Sequence, residues 1–167
     1  MCPARQNRAE TSAPVKPSGP LIVLVDSREQ RPFDFSAPSL PPVEIRRATL
    51  RTGDYSLEGL EGVVAVERKS LNDLVGCLTR GRARFERELE RGAALARFAV
   101  IVEAAWHDLA RGRYRSQMSP RSAVESVAAL QARYGIPFNF AGDRKAAEYL
   151  TISWLRHYHK ELVVKPS

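Results

Sequence analysis

Short apolar runs alternate along this chain with segments of helical period, and proline, glycine and charged residues punctuate them. Residues 21–25 form a continuous apolar run of the kind that makes a buried strand, delivering Asp26 to its C-terminal end. A Pro- and Ser-rich loop over 31–42 separates it from a second predicted strand at 43–50. Residues 54–57 and 63–69 pair as a predicted hairpin around the turn Glu58-Gly59-Leu60-Glu61-Gly62. Ser70 caps a helix that reaches about Thr79, and Gly81 ends it. A second helix is predicted over 82–97, burying Phe85, Leu89 and Ala93 or Ala96, with Arg84, Arg87 and Arg91 on another face. A buried strand at 98–103, a short helix at 106–110 and a basic loop at 111–115 follow. Ser119 and Pro120 then open a helix that runs to about Tyr134. A last strand at 136–140 leads to a C-terminal helix capped by Asp143, with Ala147, Leu150, Trp154, Leu155 and Tyr158 in one stripe. The order predicts an α/β domain over 21–160, a mixed sheet flanked by helices. Residues 1–20 read as a disordered arm and 161–167 as a tail.

The polar residues that finish the hairpin change the picture from fold to chemistry. Residues 63–66 are β-branched except at Ala65, so Glu67, Arg68 and Lys69 end a buried strand. Alternation puts Glu67 and Lys69 on one face and Arg68 on the other. The hairpin brings Asp54 beside Glu67. Two carboxylates can hold a divalent cation, and an adjacent ammonium can orient or polarise a water beside it. That is the equipment of metal-assisted phosphodiester hydrolysis.

Charge agrees with a polyanionic partner. Lys and Arg number 26 against 19 Asp and Glu, a net charge of +7, and the pI of about 9.8 lies in the range of a nucleic-acid footprint. The alternative is a basic solubilising surface. Two cysteines, Cys2 and Cys77, give neither a zinc spacing nor a disulfide framework. Cys77, beside Leu74, Val75 and Leu78, is expected to be a buried free thiol. No apolar stretch approaches the roughly 20 residues of a membrane span, so the expected location is intracellular, cytoplasm or nucleoid.

Val25-Asp26-Ser27-Arg28-Glu29, Gly53-Asp54-Tyr55, and Glu67-Arg68-Lys69 followed by Asp73 occur in this order, with Gly81-Arg82 after the helix. Together they resemble the nuclease domain of XPF-type structure-specific endonucleases over roughly residues 21–155. The resemblance implies a restriction-endonuclease-like fold, Mg2+ or Mn2+ as cofactor, and DNA, duplex or branched, as substrate. It implies an active centre of Asp26, Glu29, Asp54, Glu67, Arg68, Lys69 and Asp73. XPF-type proteins commonly add a helicase-like region or tandem helix-hairpin-helix modules, and only about 12 residues follow Leu155, so a stand-alone domain is expected here. A homodimer through the aromatic C-terminal helix, or a partner subunit, belongs to the same expectation.

Individual residues keep more than one reading. Asp54 and Glu67 are the expected metal ligands; Asp26 is a third ligand, an outer acid, or a loop cap. Lys69 serves the attacking water or scissile phosphate, or closes a salt bridge with Glu67 or Asp54. Arg68 contacts substrate or supports the site from the opposite face. Asp73 suits a near capping box as well as an active site. Arg28 suits a phosphate, with Glu29 as its ion-pair partner. Arg80, Arg82 and Arg84 form a phosphate clamp or a solvated basic turn, and Arg113 and Arg115 flank Tyr114 in a DNA-binding loop where the ring would stack on an unpaired base. The alternatives to a DNA endonuclease are an inert DNA-docking scaffold and an RNA nuclease.

Overall fold

The computed structural model describes residues 20–164; the expected N-terminal arm lies outside them, apart from Pro20. The strands are β1 (Ile22–Asp26), β2 (Glu44–Ala48), β3 (Tyr55–Leu57), β4 (Val64–Lys69), β5 (Arg97–Val102) and β6 (Phe138–Phe140). They form one sheet in the order β2-β1-β3-β4-β5-β6. β3 runs antiparallel to both β1 and β4, while β1–β2, β4–β5 and β5–β6 are parallel pairs. Every strand but β3 therefore ends on the same edge of the sheet, and the start of β3 lies there too. Ligand sites in open α/β sheets gather at such an edge. This is the restriction-endonuclease-like fold.

Alternation along the strands divides two cores. Ala65, Phe98, Val100 and Val102 pack with α1 (Leu71–Leu78), α2 (Arg82–Ala93) and α4 (Pro120–Tyr134), through Leu74, Phe85, Leu89, Val127 and Leu130. Val23, Val25, Tyr55, Leu57, Val64 and Val66 face the opposite way, onto Ala147, Ile152 and Leu155 of α5 (Arg144–Val164). α3 (Trp106–Ala110) follows β5. Predicted caps occupy their positions: Ser70 accepts from the Asp73 N–H, Ser119 from Ser122, and Asp143 from Ala146. Gly135 ends α4 at φ 65, in the left-handed region that favours glycine.

Four expectations shift. α2 stops at Ala93, short of 97, and its third buried position is Gly92, whereas Ala93 and Ala96 are exposed. Gly92 packs directly against the Phe98 ring, into which a Cβ would run, and β5 begins at Arg97. β2 is shorter than 43–50 and exposed along most of its length as an edge strand. α5 continues to Val164, into the segment expected as tail. Cys77 is a half-buried thiol rather than a buried one. Among the described residues, no helix is long and apolar enough to cross a membrane.

Candidate active site

A tight turn builds the site. Gly53 has φ 80, and a Cβ there would stand 2.9 Å from the Ala65 Cβ, so the chain crosses β4 closely only with glycine. This seats Asp54 between two strands: its N–H donates to Val66 O and its carbonyl accepts from the Asp26 N–H, both at 2.8 Å. The carboxylate accepts the Arg68 N–H, also at 2.8 Å. Asp54 and Glu67 thus meet in a cleft of about 920 Å3, lined also by Asp26, Arg28, Glu29, Arg68, Lys69, Asp73 and Glu88. Arg31, Arg51, Arg80, Arg84 and Arg91 line it as well. Apolar ligands want apolar walls; this lining suits a polyanion held by a metal or by arginines.

As alternation predicted, Glu67 and Lys69 lie on the α1/α2 side of β4 and Arg68 on the α5 side. Lys69 Nζ hydrogen-bonds Glu67, has Glu88 Oε2 at 3.7 Å, and stands 5.3 Å from the Phe85 ring centre. The salt-bridge reading of Lys69 is therefore the geometry present. Burial and then repulsion from Asp54 push the Glu67 carboxyl well above its usual range, with Lys69 pulling the other way. Burial likewise raises Asp54 to about 6. Burial works against the Lys69 charge, but Glu67 and Glu88 outweigh it and raise its pKa.

On the other face, Arg68 is clamped. Its Nε and Nη2 donate to both oxygens of Glu29 at 3.2 Å, and its Nη1 to Glu103 at 3.0 Å. Glu103 also takes Arg144 Nη1 at 2.6 Å, and Arg144 reaches the carbonyls of Arg31 and Pro32 and stacks over Phe33. Burial would raise Glu29, but the Arg68 hydrogen bonds, the Arg31 N–H and the charges of Arg68 and Arg144 together lower it. This Glu29–Arg68–Glu103–Arg144 chain ties β1, β4, β5 and α5 together at the sheet edge.

Several expected roles change. Asp26, Asp54 and Glu67 line the same cleft, and among the described residues no group of three or more His, Cys, Asp or Glu side chains is gathered as a metal site. The Asp26 carboxylate is taken up by its own loop, accepting from Arg28 N–H, from the Arg28 guanidinium through both oxygens, and from the Leu50 N–H. Burial would raise its pKa, yet the Arg28 bonds lower it. Arg28 accordingly pairs with Asp26 and Glu29 with Arg68, rather than with each other. Asp73 sits at the helix cap, its carboxylate accepting from the Ser70 hydroxyl at 2.6 Å, and lies on the cleft wall. Arg82 is held by Glu86 at 2.7 Å, leaving Arg80 and Arg84 of the expected clamp on the cleft. Arg113 binds Asp108 at 2.9 Å and Arg115 is exposed. Tyr114 is half-buried against the core and its hydroxyl donates to Met118 O at 2.9 Å.

Sequence reasoning missed Glu88, Glu103 and Arg144. Glu103 was within reach, since it directly follows a buried strand on the same edge as Glu67. Glu88 and Arg144 sit among other charges on helices, where the sequence carries no mark of what they face.

Residues 25–152 match the ERCC4 domain. The chain belongs to the ERCC4-domain family. Its structure is similar to XPF from Aeropyrum pernix, with a TM-score of 0.62 and 28% identity over 84% of this chain and 66% of that one. It is also similar to the same protein in complex with DNA, with a TM-score of 0.61 and 27% identity over 87% of this chain and 68% of that one. This chain thus spans about two thirds of their length. No curated protein matches it. The blocks that carry the family resemblance, at 25–29, 53–55 and 67–69, are the ones that meet in the cleft.

The donor set fits a hard divalent cation. The buried Glu67 and the half-buried Asp54 offer oxygens that repel each other, a charge pattern a cation relieves. Mg2+ commonly takes one or two carboxylates and completes its shell with water and phosphate oxygens.

Proposed function

We propose that this chain is a divalent-metal-dependent DNA endonuclease acting on branched or otherwise structured DNA, in repair or recombination. The observation that carries it is the pairing of the half-buried Asp54 with the buried Glu67 beside Lys69, in a cleft also lined by arginines. Asp54 and Glu67 would hold Mg2+ or Mn2+, with Asp26 fixing the loop that carries Arg28 and Glu29. The bound ion would supply charge neutralisation at the phosphate and a more acidic water. Lys69, kept an ammonium by Glu67 and Glu88, cannot accept a proton near neutrality; it donates to a phosphate oxygen or orients the attacking water. Arg68, buried and clamped on the other face, holds the strand end in place and takes no part in proton transfer. Arg80, Arg84 and Arg91 contact the DNA backbone. An intracellular location, cytoplasm or nucleoid, goes with that substrate.

The test is cleavage of end-labelled duplex, single-stranded, flap and splayed-arm DNA with Mg2+, Mn2+ or chelator, beside Lys69→Ala and Asp54→Asn. Metal-dependent cutting lost in both variants supports the reading. Tight binding without cutting would replace it with a docking scaffold that requires a partner subunit. Cutting of RNA alone would move the substrate class.

A further inference from the structure

We infer that Trp106, with the arginines of the following loop, forms a stacking site for an unpaired nucleotide next to the catalytic cleft. The inference rests on the nucleic-acid reading above and deepens it, because it gives this domain its own means of telling single-stranded from duplex DNA.

Large exposed apolar side chains are few among the described residues: Ile45, Trp106 and Tyr149. Ile45 lies on the outer strand β2, and Tyr149 borders a cavity between α5 and Leu40 and Pro41. Trp106 is the one at the edge of the sheet where the site lies. It opens α3 three residues after Glu103, whose N–H donates to Lys69 O and whose carboxylate holds Arg68. Three residues of chain span at most about 10 Å, so the start of α3 lies within about 10 Å of Glu103, whose backbone pairs with Lys69 of the cleft.

The ring is both held and open. Phe140 meets it edge to face, with centroids 5.0 Å apart and planes at 89°, and Phe140 in turn packs on the core. Such a contact fixes an indole without covering both of its faces, and Trp106 remains 44% exposed. A base inside a duplex already has neighbours on both faces; an unpaired base has a face to give, and every base can stack in this way.

Charge around the ring suits the phosphates flanking such a base. Arg111, Arg113 and Arg115 alternate along the next loop, all exposed. Asp108 is the acid among them; it binds Arg113 at 2.9 Å, has His107 Nε2 at 3.3 Å, and accepts the Ala105 N–H at 3.1 Å, fixing the start of α3. One acid against three arginines leaves the loop cationic. The same loop is tied to the cleft, since the Arg115 N–H donates to Asn72 Oδ1 at 2.9 Å and Asn72 lines the cleft wall. A strand leaving the cleft along this loop meets cations and then the indole.

The protein has two tryptophans, and Trp154 is half-buried against Tyr158. Trp154→Phe therefore leaves Trp106 as the single indole reporter. In chelator, so that no strand is cut, titration with oligothymidylate should quench Trp106 emission in a saturable way, while a duplex of equal length should not. Trp106→Ala should weaken single-strand binding about 5- to 100-fold by anisotropy of a labelled oligonucleotide. It should change duplex binding less than about twofold, and Trp106→Phe should keep part of the single-strand affinity. Absence of quenching, or equal weakening for duplex and single strand, would overturn the site. So would a blue shift of Trp106 emission with protein concentration alone, which would mean that a second copy covers the ring. Cleavage is not read here, so a failed nuclease assay and a failed stacking assay remain separate results.

Discussion

Asp54 takes the backbone N–H of Arg68 at 2.8 Å, which binds the acid before β3 to the middle of the Glu67-Arg68-Lys69 run on the neighbouring strand. The bond holds the half-buried Asp54 carboxylate beside the buried Glu67, and burial raises its pKa from 3.8 to about 6. Between those values the folded protein keeps a proton that the unfolded chain has released. That contribution is complete below 3.8 and is lost as pH rises through 6. Asp54→Asn, which keeps an oxygen for the Arg68 N–H, should match the parent near pH 4. At pH 7 to 8, without metal, it should be more stable by on the order of 1–2 kcal/mol. Melting curves across pH check this, and a difference that does not change with pH would show that Asp54 is not strained by its charge.

The same carboxyl sets how a divalent ion and a proton compete. Below about 6, cation binding must displace a proton from Asp54 and another from Glu67, whose carboxyl is also raised, so apparent Mn2+ affinity should fall by up to about a hundredfold per pH unit. Above that pH, added Mn2+ should raise the melting temperature of the parent, and chelator should reverse it. Asp54→Asn and Glu67→Gln should lose this response. An equal thermal shift in both variants would place the ion elsewhere.

Residues whose role follows from strand alternation are legible in the amino-acid sequence. The hairpin, the shared face of Glu67 and Lys69, the opposite face of Arg68 and the Ser70 cap all depend on local period and local hydrogen bonding. Roles that depend on which charge meets which are not legible in this way. Arg28 and Glu29 are adjacent in sequence and their pairing looks natural, but the turn after β1 sends one to Asp26 and the other across to Arg68. Asp26 likewise reads as a ligand from its place at a strand end, although only the fold shows its oxygens accepting from Arg28 and Leu50. Glu103 and Arg144 enter the site through pairings across 35 and 41 residues, a separation at which a single sequence carries no pairing signal.

The clamp on Arg68 makes a stability prediction distinct from catalysis. Its side chain is only 9% exposed and is bonded to Glu29 and Glu103. Arg68→Ala strands the buried Glu29 carboxylate, which keeps only the Arg31 N–H, while Glu103 retains Arg144; breaking a buried pair in this way costs about 3–5 kcal/mol. Arg68→Lys keeps the charge but cannot span both oxygens of Glu29 and Glu103 together, so it should fall between parent and alanine. Urea unfolding measures both. If lysine behaves as the parent does, the fork geometry is immaterial.

Arg80 and Arg84 lie on the cleft wall, whereas Arg82 is engaged by Glu86. Replacing Arg80 or Arg84 by alanine should weaken binding to any DNA sequence alike. It should also flatten the salt dependence of affinity by roughly 0.9 for each phosphate no longer neutralised. Arg82→Ala should leave the slope near that of the parent. Binding measured from 50 to 200 mM salt separates the three, and a slope change for Arg82 equal to that of Arg84 would mean that the whole turn follows the backbone.

Gly92 sets two effects against each other. It lies in the last turn of α2 at φ compatible with any residue, and alanine is better than glycine inside a helix by up to about 1 kcal/mol. Propensity alone would make Gly92→Ala stabilising. A Cβ at this position, however, would run into the Phe98 ring, which is 5% exposed and held in the core among Ala65, Leu89 and Val100. Overpacking of this kind costs roughly 1–3 kcal/mol, so the sterics should win and Gly92→Ala should be less stable than the parent. Phe98→Leu in the same chain removes the ring and should recover most of the stability, leaving an interaction energy between the two positions in a double-mutant cycle. Strictly additive effects would show that the ring has room to turn aside.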